Sequence, residues 1–279
     1  MVNDRSARRV LFVVATASIG AAGLLAWLWS TAPTPSAAEL PLAVALGALV
    51  SLARMFPLQV AYRRRMVLDT APMFTAVLLL EPALAASAIL TGIAIAETTT
   101  GIRRKDLDRR QVAFNSAQAM LGAAAGVLAF DAVARFELPS DHPSVMWGAL
   151  AALAAMFLVN DLLVFSVVWA QLGIRFRTML VDYIRGRSDW PYELALYAAG
   201  FIAALAGSIH AWLIALIAAP LPALYRAMRD QVALKVQTRE AVIALADVVD
   251  ARDAYTFGHC KRTAEFAEQI CKELRLSPD

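Results

Sequence analysis

Over its first 225 residues the chain alternates long, largely uncharged blocks with short segments that hold most of that region's arginines. Val10–Ser30, Pro41–Phe56, Gln111–Phe136 and Val145–Leu172 are apolar blocks at or near the ~20 residues a helix needs to cross a bilayer. Leu68–Leu80 and Pro82–Thr98 are shorter and separated only by Glu81-Pro82. They predict a tight hairpin, with a re-entrant start at Asp69-Thr70-Ala71-Pro72. The pattern as a whole predicts an all-α polytopic membrane bundle.

Charge decides the topology. Arg63-Arg64-Arg65 and the run Arg103–Arg110 mark one side, where cytoplasmic loops collect basic residues. Arg175–Arg187 is basic and amphipathic and is expected to lie along that surface. Pro191–Tyr225 reads as two short helices hinged near Gly207-Ser208-Ile209-His210, which keeps Arg226 and Arg229 with the other arginines. The expectation is about eight crossings with both termini cytoplasmic, in the inner membrane. Pro57 should end the second helix, leaving Arg54 to snorkel toward lipid headgroups. Arg5, Arg8 and Arg9 precede a first span too long for a cleaved signal, so it reads as a retained anchor.

Composition agrees. The chain is 59% hydrophobic and 18% charged, with a mean hydropathy of +0.58, against about 25% charged in soluble domains. A net charge of +3 does not indicate a nucleic-acid binder. Cys260 and Cys271 are not spaced as CxxC and read as reduced cytosolic thiols.

Polar residues inside the blocks are the first candidates for chemistry. Asn160 and Asp161 interrupt one span, and Asn115 and Gln118 the preceding one. Polar and ionisable groups are costly in lipid and turn to the bundle interior. These four either line a ligand or ion pocket or fix helix packing by hydrogen bonds. Glu97 and Asp131, nearer span ends, read as packing residues. Gly122 and Gly126 form a small-residue face for close helix approach. His142 and His210 read as ordinary polar residues.

Beyond Tyr225 the chain becomes polar. Residues 226–246 predict a linker helix, whose Met228, Val232 and Val236 stripe suits pairing in a homodimer without making a strong coiled coil. In residues 247–279, Thr256 could cap a helix from Phe257 with His259 in its first turn. Ala267, Ile270, Cys271 and Leu274 form its apolar face, and Ser277-Pro278-Asp279 could open another helix.

The run Ala251-Arg-Asp-Ala-Tyr-Thr-Phe-Gly-His259, continuing through Arg262 to Glu273-Leu274 and Leu276-Ser277-Pro278, resembles the opening of an HD-GYP domain. More loosely, residues 68–115 resemble sensory membrane regions attached to such domains. The resemblance implies a membrane-bound signalling protein whose cytoplasmic metal-dependent phosphohydrolase acts on cyclic di-GMP. It also implies that His259 is the first ligand of a divalent metal pair (iron, manganese or zinc) and that Arg262 could contact phosphate. Tyr255 stands where three-metal members carry an acid, which favours two metals. The His-Asp dyad and Gly-Tyr-Pro segment do not follow His259 in this chain. It is therefore expected to carry only the start of the catalytic domain, to bind no metal pair and to be inactive alone. The alternatives are a nonenzymatic membrane binding or transport component, and an HD hydrolase acting on another nucleotide.

Overall fold

A computed structural model describes residues 4–37, 39–61, 64–134, 142–172, 190–219, 221–252 and 259–273. The expected surface segment Arg175–Arg187, the cap at Thr256 with Tyr255 and Phe257, and Leu274 with the Ser277–Asp279 turn lie outside them. Among the described residues there are ten helices: α1 (Asp4–Thr31), α2 (Glu39–Met55), α3 (Thr70–Leu79), α4 (Pro82–Arg104), α5 (Arg109–Val133), α6 (Pro143–Leu172), α7 (Trp190–Ile209), α8 (Trp212–Ala218), α9 (Leu221–Arg252) and α10 (His259–Glu273). The departure from an all-α reading is a two-stranded ribbon, Leu58–Ala61 with Arg64–Met66, where the three arginines suggested only a loop. By its contacts the chain forms two units: Met1–Pro57 with Met66–Leu221, and Leu58–Arg65 with Pro222–Asp279.

In the first unit, α1, α4, α5, α6 and α7 are long and apolar enough to cross a membrane. The other three helices expected as crossings are shorter, α2 having 17 residues. At 10 residues α3 reaches about 15 Å, half of a ~30 Å hydrocarbon layer, and α8 has only seven residues. The local breaks have clear causes. Glu81 adopts the extended conformation that the residue before a proline prefers, Pro82 occupies the first turn of α4, and the Leu80 N–H closes α3 on Ala76. The predicted hinge is a break at His210, whose ring stacks on Trp212. Ser36 and Glu39 exchange hydrogen bonds of 3.2 and 2.8 Å as a capping box before α2.

α4 reaches Arg104, beyond its expected end, and stops in a Schellman turn. Asp106 N–H donates to Gly101 O, Lys105 N–H donates to Ile102 O, and Lys105 takes the left-handed conformation at φ 57°. Leu107 folds back over Gly101, and Asp108 caps α5 by accepting from the Arg110 N–H at 2.8 Å.

α4 and α5 form the centre, with half of each apolar window buried, against 11% for α1. One core runs through Leu46, Val50, Phe74, Val77, Ile89, Ile93 and Met156, and a second joins α1 to α4 and α5 around Ala17, Ala86 and Met120. α2 and α4 touch backbone to backbone: a Cβ on Gly92 would stand 2.6 Å from Gly47 O. Gly126 faces Met156 and Val77, so the small-residue face packs within the chain.

In the second unit, α9 is one helix of 32 residues that crosses both expected linker boundaries. α10 begins at His259, and Phe266 and Ile270 on it are 63% and 58% exposed.

Candidate functional site

The site is built at one end of the bundle. α2 and α4 finish there, α3, α5 and α7 start there, and α6 passes through on its way to Leu172. It is the arginine-rich end: Glu97 is about 10 Å along α4 from Arg104, and Asn115 about 9 Å along α5 from Arg109.

Arg54 is its hub, and this corrects the expectation that it snorkels to headgroups. It lies in the last turn of α2 and turns inward, because two carboxylates from other helices wait there. Arg54 Nη1 donates to Asp69 Oδ2 at 2.9 Å, while Nε and Nη2 donate to Glu97 Oε1 at 3.0 and 2.8 Å. Asn115 Nδ2 adds a fourth bond, to the same Glu97 oxygen at 2.9 Å. The side chains of Asp69 and Glu97 are only 8% and 15% exposed, so each charge depends on this partner. Asp69 precedes α3, where an aspartate ordinarily caps with its side chain. Here its backbone oxygen accepts from Met73 and its carboxylate serves Arg54 instead.

Beside this cluster lies a cavity of about 320 Å³. Arg54, Asp69 and Asn115 form one wall. Gln118 and Asn160 form another, joined by a hydrogen bond from Gln118 Nε2 to Asn160 Oδ1. Glu193 and Tyr197 of α7 also line it, with Met73, Met156 and Phe157 supplying apolar surface. Tyr197 is buried and packs edge-on against Phe74 at 5.1 Å. The start of α7 is held there by close approach. A Cβ on Gly200 would stand 2.6 Å from Ala71 O, and Thr75 Oγ1 donates to Gly200 O at 3.1 Å.

Of the four polar residues singled out in the sequence, the fold brings Asn115, Gln118 and Asn160 to one cavity. Asp161 is not among its walls. Arg54, Asp69, Glu97 and Glu193 were missed as site residues. The available signal was one cation and three carboxylates placed singly at the ends of otherwise apolar blocks.

The donor set for the implied metal pair does not fit. His259 is the chain's third histidine, and the other two belong to the bundle unit, His142 beside Ser144 and His210 on Trp212. Among the described residues no three of His, Cys, Asp and Glu converge as a metal site requires. A single imidazole supplies one ligand of the several that a metal pair needs.

No family model, curated protein or solved structure matches this chain.

Proposed function

We propose that this chain is the membrane receptor part of a signalling protein of the HD-GYP type, with the polar cavity as its sensing site. The observation that carries the reading is the charged and amide-lined cavity inside an otherwise apolar bundle, followed in sequence by a 32-residue helix and the HD-GYP-like run ending in His259 and Arg262. Buried polar groups lower the stability of a membrane bundle unless packing or binding requires them. A cavity provides the use that packing does not.

In this reading the bundle makes eight passes of the inner membrane, two of them short, with both termini cytoplasmic. Ligand occupancy shifts α7 and α8 against α3, and α9, paired in a homodimer, carries the change to the phosphohydrolase. The protein that contains the full domain hydrolyses cyclic di-GMP. The alternative of a nonenzymatic binding component draws on the same cavity.

The DNA that follows the Asp279 codon separates them. An in-frame His-Asp pair and Gly-Tyr-Pro segment, together with raised cellular cyclic di-GMP on deletion of the locus, supports the signalling enzyme. Their absence, with cyclic di-GMP unchanged, leaves the binding component.

A further inference from the structure

We propose that the turn joining α4 to α5 is a docking surface for anionic phospholipid headgroups of the bilayer that the bundle spans. The proposal is independent of the receptor reading above.

Charge is the first argument. Arg103, Arg104, Lys105, Arg109 and Arg110 fall within eight residues, all of them exposed, against the two acids Asp106 and Asp108. Among the described residues none of these five cations has an ion-pair partner. Asp108 is engaged with a backbone group, the Arg110 N–H. The turn therefore carries an excess of three positive charges. Cations beside an anionic leaflet are attracted to it, and a guanidinium matches phosphate oxygens two at a time.

The backbone holds these charges in place. The Schellman turn sets Lys105 at φ 57°, and Leu107 lies so close over Gly101 that a Cβ there would stand 2.7 Å from Leu107 Cδ1. A surface ordered in advance loses less freedom on binding.

Apolar surface selects lipid over a dissolved anion. Ile102 and Leu107 lie among the cations and are 62% and 42% exposed. A soluble polyanion would leave both in water. A bilayer takes the apolar pair below its headgroups while the long basic side chains stay at headgroup level. The depth agrees. Trp29 Nε1 donates to Ser87 Oγ at 3.0 Å, which sets Ser87 at a boundary marked by tryptophan. From Ser87 to Arg104, α4 rises about 25 Å, which brings the turn to the opposite boundary of a ~30 Å hydrocarbon layer.

The test uses the full chain with Cys260 and Cys271 replaced by serine and Ile102→Cys labelled with an NBD fluorophore. The labelled protein is placed in mixed phosphatidylcholine and phosphatidylglycerol vesicles. Quenching by a doxyl nitroxide on phosphatidylglycerol is compared with the same nitroxide on phosphatidylcholine at equal mole fraction. The anionic lipid should quench about threefold more strongly. Arg103→Gln with Arg104→Gln should at least halve that preference, and Arg109→Gln with Arg110→Gln serves if the first pair does not fold. Arg226→Gln with Arg229→Gln removes the same charge from α9 and should leave the preference as it was. Equal quenching by the two lipids overturns the proposal, and so does quenching by neither, which would place the turn clear of the bilayer. A preference that the turn variants leave unchanged, or that the α9 variant lowers as much, overturns it as well.

Discussion

Arg54 shows how little one residue's sequence context can reveal. In α2 it sits three residues before Pro57, where an arginine at a membrane surface is ordinary, and its partners are 15 and 43 positions away. What turns it inward is the pair of carboxylates, each of which would otherwise be buried without a counter-charge. Arg54→Met should therefore cost about 3 kcal/mol, because it strands two acids in a poorly solvated site. Arg54→Lys should recover only part of that loss, since an ammonium cannot reach both acids with the same planar fork. Unfolding in detergent measures both, and an Arg54→Met protein as stable as the parent would contradict the ion-pair assignment. Lys105 offers an independent check outside the bundle core. Its left-handed conformation suits glycine, so Lys105→Gly should gain about 0.5 kcal/mol after the entropy cost of glycine is included.

At the scale of elements, the breaks were legible and the close approaches were not. Glu81-Pro82 and the Gly207–His210 hinge announce themselves by residue type, and both are found. The α2–α4 contact depends on Gly47 and Gly92, which lie in separate blocks with no shared motif. The conspicuous Gly122 and Gly126 pair turns out to pack on α6 and α3. The ribbon at 58–66 was missed because three consecutive arginines carry no alternation that marks a strand. Gly92→Ala should cost about 2 kcal/mol by forcing a Cβ against Gly47 O. Gly20→Ala in α1, where nothing lies within 4 Å, should be neutral or slightly stabilising. Equal effects at the two positions would deny the backbone contact. Polar residues inside apolar blocks were a sound guide to the cavity for Asn115, Gln118 and Asn160. Asp161, the fourth of them, is not among the cavity's lining residues.

For the whole molecule, the bundle unit exposes its apolar surface instead of hiding it. Ile19, Val44, Leu158 and Leu162 are 72%, 73%, 60% and 67% exposed, as lipid-facing residues are. Tryptophans mark two levels. Trp27, Trp29, Trp147 and Trp212 lie at the end away from the arginines, and Trp169 and Trp190 at the arginine end. From Trp147 to Trp169, α6 rises about 33 Å, close to the ~30 Å of a hydrocarbon layer. Arg9 packs over Trp169 at 5.6 Å, which joins the start of α1 to that same end.

Thiol labelling at Asn160, in the cavity wall, tests the cavity together with the orientation proposed for the bundle. Asn160→Cys, with Cys260 and Cys271 replaced by serine, is exposed to a small membrane-impermeant cationic methanethiosulfonate in inverted inner-membrane vesicles and in intact spheroplasts. With the arginine-rich end cytoplasmic, as proposed, modification is rapid in the inverted vesicles and absent in the spheroplasts. Modification from the outer face, or from neither face, would contradict it.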